Sequence, residues 1–130
     1  IAVWLYGNFL TSGELPYMDL AATSYDQYAK SGRGYVQGRF RGEHMAYSEI
    51  EYRHHLADMW HIPVGMVVYA NAQTLSSKGN DIDLFEYVEF GGGAGLRFML
   101  NKQTRTNLTL DYAIGEYASA GLYIRLNETF

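Results

Sequence analysis

An all-β fold of antiparallel strands is what this sequence predicts, and three observations carry that prediction. Five segments alternate apolar with polar or small residues at period two. Aromatic residues make up 15 % of the chain, twelve of them Tyr. Turns are supplied by glycine, with 14 Gly against 2 Pro. Period-two alternation belongs to a strand whose two faces meet different environments. The 130 residues amount to about one domain. A net charge of −4 argues against a general nucleic-acid binder. There is no cysteine, hence no disulfide framework and no thiolate metal site. No apolar run approaches the roughly 20 residues of a membrane helix. A transmembrane β-barrel stays open, because its strands leave only a weak alternating trace.

Taken in order, residues 1–10 (IAVWLYGNFL) read as a strand without clear alternation. Residues 11–42 form a long, mostly polar connection punctuated by Gly13, Pro16, Gly32, Gly34, Gly38 and Gly42. A connection of that length is generally functional or disordered, and a short helix is expected around residues 25–29. The segment 43–55 sets Ala46, Ser48, Ile50 and Tyr52 against Glu49, Glu51 and Arg53. Segment 63–73 sets Val64, Met66, Val68, Ala70 and Ala72 against Asn71 and Gln73. Segment 88–100 sets Phe90, Ala94, Leu96, Phe98 and Leu100 against Gly91, Gly93, Gly95 and Arg97. Segment 105–115 sets Leu108, Leu110, Tyr112 and Ile114 against Asn107, Thr109 and Asp111. The last segment, 121–130, sets Leu122, Ile124, Leu126 and Phe130 against Tyr123, Arg125 and Asn127.

Each segment is about 10 residues long, the length a tilted strand needs to cross a bilayer. Short connections such as 101–104 alternate with longer ones such as 76–84, as in barrels with tight turns on one side and loops on the other. A soluble sandwich also alternates, but its inner face is bulky and its outer face polar. Here the less apolar face carries both signs of charge together with glycine. That pattern favours the wall of a transmembrane β-barrel, antiparallel and wet inside, over a soluble sandwich.

The stretch Ser31-Gly32-Arg33-Gly34-Tyr35-Val36-Gln37-Gly38-Arg39-Phe40-Arg41-Gly42 interrupts the alternation with three arginines and two aromatics. Glycine permits positive φ, and arginine offers a planar fork of donors. By itself the stretch suits a solvated connector, an anion site, or a plug folded back into a cavity.

Catalytic and metal patterns are weak. His54, His55 and His61 lack the spacing of a ligand set, and adjacent strand residues point to opposite faces. The run Gly91-Gly92-Gly93-Ala94-Gly95 has no following Lys-Ser/Thr and opens no helix, so it is not a phosphate loop. Glycine where another segment must pack close is the better account. No Gly-x-Ser-x-Gly elbow occurs. Glu49 and Glu51 sit two apart on one face, but Arg53 beside them favours an internal ion network over acid–base work. The expectation is a protein without enzymatic activity, cofactor or metal.

The final segment, ending in Phe130 with Leu122, Ile124 and Leu126 upstream, resembles the C-terminal β-signal of bacterial outer-membrane barrels. With Gly32-Arg33-Gly34-Tyr35, Gly38-Arg39-Phe40-Arg41 and Glu49-Ile50-Glu51-Tyr52-Arg53 added, the chain resembles the BamA/TamA family of outer-membrane assembly and translocation proteins. The stretches Val67-Val68-Tyr69-Ala70-Asn71-Ala72, Gly93-Ala94-Gly95-Leu96-Arg97-Phe98 and Leu108-Thr109-Leu110-Asp111-Tyr112-Ala113 follow in the same order, so the resemblance covers nearly all of residues 1–130.

The resemblance implies that residues 1–130 are the C-terminal portion of the barrel, about six strands, with the long loop folded into the lumen. Further strands and periplasmic POTRA domains would lie upstream. It implies a bacterial outer-membrane location, outer-membrane lipid and unfolded β-barrel substrates as partners, and accessory assembly proteins. Insertion or translocation would pass through a lateral seam at the last strand. The same barrel otherwise anchors an upstream enzyme such as a patatin-like phospholipase. Arg33, Gly34 and Tyr35 would form the loop tip, bonded to the inner wall. Where the family commonly has an aspartate, this chain has Asn71, which accepts a hydrogen bond without neutralising Arg33. Glu49, Glu51 and Asp111 share its face by parity and are the further candidates. Deleting Phe130 should impair membrane insertion, read as the protein's level in isolated outer membranes; an unchanged level would overturn the β-signal.

Overall fold

The computed structural model describes residues 1–27, 29–101, 103–104 and 106–126. Among these there is no α-helix, and the architecture is all-β. Six strands form one antiparallel sheet: β1 (Ala2–Phe9), β4 (His44–Met59), β5 (Ile62–Ser76), β6 (Glu89–Asn101), β7 (Thr106–Gly115) and β8 (Ala120–Leu126), paired in that order. Between β1 and β4 the long connection makes a small ladder of its own. There β2 (Ala21–Ala22) pairs with β3 (Arg41–Gly42), Ala21 opposite Gly42 and Ala22 opposite Arg41. The six-stranded sheet is open, with β1 and β8 at its two edges.

The alternation sorts the faces as the sequence predicts. Glu49 pairs with Asn71, Val67 with Gly95, and Asp111 with Gly95 and Tyr123, so these odd-numbered positions share one face. That face is covered by the folded-back loop, and Met45, Tyr47, Glu49, Glu51, Val67, Tyr69, Asn71 and Asp111 are buried on it. The even-numbered face points away from the loop, and Ile50, Val68, Phe90, Tyr112, Ile114 and Ile124 are exposed there.

Strand β1 follows the opposite parity. Trp4 lies opposite Glu49 and Tyr6 opposite Tyr47 on the loop-covered face, while Val3 and Leu5 are exposed. Trp4 stacks edge-on against Tyr47, ring centroids 5.2 Å apart, beside the cluster of Ala21, Met45 and Tyr47. Both faces of β1 carry hydrophobic side chains, which is why its alternation is invisible in composition.

Two expectations are corrected. The hairpin between β4 and β5 is tighter than the sequence suggests, because β4 continues to Met59 and β5 begins at Ile62. Leu56 is an extra residue in β4 between His55 and Ala57. Such a bulge shifts the parity of everything after it, so the alternation is lost there while pairing continues. Trp60 and His61 alone make the turn, with φ of 48° and 69°, the left-handed pair of a type I′ hairpin. Among the described residues of 25–29 no helix forms, and Tyr28 lies outside them. Asp26 instead accepts hydrogen bonds from the Lys30 N–H at 3.0 Å, the Ser31 N–H at 2.8 Å and the Ser31 hydroxyl at 2.6 Å. A short acidic side chain that satisfies the backbone this way competes with the helix. The expectation for Phe130 also falls outside the described residues.

Candidate functional site

The site is built where the loop tip meets the sheet. Two strands supply its three acids. Glu49 and Glu51 stand two apart on β4, and Asp111 comes from β7, brought onto the same face by the pairing of β4 through β5 and β6 to β7. Into this set the loop inserts Arg33. Its Nε donates to Glu49 Oε2 at 3.0 Å, and its Nη2 donates to Glu49 Oε1 and to Glu51 Oε1. Nη1 reaches Asp111 Oδ2 at 3.4 Å. The guanidinium lies over the Tyr69 ring, 3.4 Å from its centroid. The side chains of Arg33, Glu49, Glu51 and Asp111 all have zero exposure.

A second tier completes the charge balance. Arg53 Nε donates to Glu51 Oε2 at 2.7 Å, and Arg97 Nη1 donates to Asp111 Oδ1. The Tyr47 hydroxyl donates to Glu49 Oε2 at 2.6 Å. Three arginines therefore face three carboxylates, which is how a buried charge cluster is tolerated at all. Burial by itself would favour the neutral form of Arg33, but the hydrogen bonds and charges of Glu49 and Glu51 outweigh it and hold the proton above its ordinary affinity.

The backbone on either side of Arg33 is held by side chains of the wall. Asn71 Nδ2 donates to the Arg33 carbonyl at 2.9 Å. The Gly34 N–H donates to the Tyr123 hydroxyl at 3.0 Å, which in turn donates to the Tyr35 carbonyl at 3.3 Å. The Tyr35 hydroxyl donates to the Phe90 carbonyl and accepts from the Glu116 N–H at 3.0 Å. Gly34 has a φ of 103°, and a Cβ there would stand 2.7 Å from the Ile114 carbonyl oxygen. The wall is glycine where the tip touches it: a Cβ on Gly91 would lie 3.0 Å from the Arg33 carbonyl oxygen, and one on Gly115 would lie 2.7 Å from the Tyr35 ring. Close approach of the tip is what glycine at positions 91 and 115 accommodates.

The structure thus brings together Arg33, Gly34 and Tyr35 with all four wall residues named from sequence, Glu49, Glu51, Asn71 and Asp111. Their division of labour is specific. The carboxylates take the guanidinium, while Asn71 acts as a donor to the Arg33 backbone. Leu122, Ile124 and Leu126 lie apart from this cluster, exposed on the outer face of β8. Tyr69 beneath the guanidinium and Tyr123 at the tip backbone were not singled out by sequence. Both occupy odd positions on strands already placed, so parity was the one available signal. His54 falls on the outer parity, and among the described residues no group of His, Cys, Asp and Glu is arranged to hold a metal.

Removing one partner of a fully buried ion network costs about 3–5 kcal/mol. Arg33→Ala should lower stability by that order, read as a lower melting temperature; an unchanged melting temperature would count against the inserted tip. Arg33→Lys should recover little, since an ammonium lacks the planar fork that engages Glu49 twice. Comparison with family models, with curated proteins and with solved structures gives no match for the chain.

Proposed function

We propose that the chain is the C-terminal wall of a transmembrane β-barrel of the BamA/TamA type in the bacterial outer membrane. There it inserts or translocates outer-membrane proteins through a lateral seam at its last strand, without enzymatic activity or cofactor. One observation carries the reading. The sheet is inside out by the standard of a water-soluble protein: Ile50 is 52 % exposed, Val68 46 % and Ile124 67 %, whereas Glu51 and Asp111 are 0 % exposed. In water the apolar face would be the one covered. A bilayer reverses the preference, since lipid solvates the outer face and the polar groups turn inward.

The seam reading draws on β8. Among the described residues it pairs with β7 on one side and with no strand on the other, where a row of backbone donors and acceptors is left. An edge of that kind can pair with the barrel's first strand or template an incoming strand. The tip is bonded to this same strand through Tyr123, so the ion cage and the seam are linked within a few residues. Outer-membrane lipid, unfolded barrel substrates and accessory assembly proteins are the partners this function requires, and POTRA domains upstream would deliver the substrates.

Two measurements test the proposal. Val68→Arg, in the middle of the outer face of β5, should cost about 2–4 kcal/mol in phospholipid vesicles, as cationic residues do at a bilayer midplane. At a merely solvent-exposed site the same change stays within about 0.5 kcal/mol, and that result would overturn the membrane wall. The full-length protein reconstituted in vesicles should accelerate the folding of an urea-denatured outer-membrane barrel protein. Normal membrane integration with no acceleration would instead identify a barrel that anchors an upstream enzyme such as a patatin-like phospholipase.

A further inference from the structure

We propose that the wall cage is a guanidinium-binding site for an arginine presented in trans, by an extended peptide reading Arg-Gly-aromatic, whenever the chain's own tip is withdrawn. Every wall group of the cage comes from the six-stranded sheet, and the loop supplies its guest. Glu49, Glu51 and Asp111 come from β4 and β7, and the Tyr69 ring that floors the site comes from β5. Arg53 and Arg97 remain bonded to Glu51 and Asp111 from the wall itself. With Arg33 removed, three carboxylates face two arginines, and the site is left one positive charge short over an open aromatic face. A planar cation of the shape and charge of guanidinium answers both deficits.

The groups flanking the cage read the main chain, which any peptide supplies. Asn71 bonds a carbonyl, and Tyr123 bonds one N–H and one carbonyl. Sequence selectivity arises at two further positions. The residue after the arginine must be glycine, because of its φ of 103° and the Ile114 carbonyl 2.7 Å from where a Cβ would stand. The next residue must be aromatic with a hydroxyl to make the bonds that Tyr35 makes to Phe90 and Glu116. Within the chain the tip is tethered at both ends, and a flexible tether holds its tip at an effective concentration on the order of millimolar. The tethered tip is therefore a built-in competitor, and an outside arginine enters when the tip is out. The inference stands on the cage and holds whether or not the wall spans a membrane.

The test uses the full-length protein in detergent with Gly34→Ala, which forces the tip away from Ile114 and leaves every cage residue in place. The probe is a fluorescent peptide with the sequence of residues 31–37, beside the same peptide with neutral citrulline for arginine. The arginine peptide should bind the Gly34→Ala protein at least about tenfold more tightly than wild type. Citrulline in the peptide, or Glu49→Gln added to the protein, should each remove that gain. Equal binding of the arginine and citrulline peptides, or no binding of either, would overturn the proposal. Should Gly34→Ala fail to assemble, Arg33→Ala serves in its place. Low-millimolar guanidinium chloride should raise its melting temperature where sodium chloride and urea at the same concentration do not, and a response common to all three would equally overturn it.

Discussion

The structure depends on the burial of one arginine among three acids. Glu49, Glu51 and Asp111 point to the covered face of the sheet with no exposure, and acids that close together without a cation would be intolerable away from water. Arg33 resolves this with a bidentate grip on Glu49, shared contacts to Glu51 and Asp111, and the Tyr69 ring beneath it. The cost of delivering it falls on the loop and on the wall. The loop must present Arg33 from a tip whose next residue takes positive φ, and the wall must be glycine at positions 91 and 115 so that the tip can settle on it. The long connection and these two wall glycines, distant in sequence, are two halves of one contact.

This arrangement also ties distant strands together. Antiparallel pairing links only neighbours, so β4 and β7 would communicate through two intervening strands. The guanidinium joins them directly, and Tyr123 extends the link to β8 through the backbone of Gly34 and Tyr35. The edge strand is thus held by its ladder to β7 and by a second, side-chain attachment to the loop. The tip and the edge strand are therefore joined by hydrogen bonds that do not run through the sheet. On the proposed reading that edge is the seam, so the loop and the seam share one set of hydrogen bonds.

The periodicity that makes strands legible has definite limits. Val67 to Asn71 and Thr109 to Asp111 could be placed on faces from parity alone, because a strand turns by half a revolution per residue. Leu56 defeated the same argument, since a single bulged residue reverses parity while pairing continues. In β1 the inward side chains are Trp4 and Tyr6, as apolar as the outward Val3 and Leu5, so a hydropathy pattern could not separate them. The segment around Asp26 has the composition of a short helix, but its carboxylate bonds Lys30 and Ser31 and closes a turn instead. Asn71 was legible as a partner of the tip yet not in its role, because an amide side chain both donates and accepts and only its neighbours decide which.

By itself, then, the sequence determined that the chain is built from strands, which residues share a face, and that a glycine- and arginine-rich stretch lies between the first strand and the rest. These follow from local geometry, since period two and the reach of glycine are properties of the backbone. The tertiary structure decided which acid each nitrogen of Arg33 meets, that Tyr69 floors the site, and that Tyr123 ties the tip to the edge strand. Those contacts join residues 16 to 89 positions apart, and their geometry depends on strand register and on the angle at which the loop returns. Neither is written in any local window of residues.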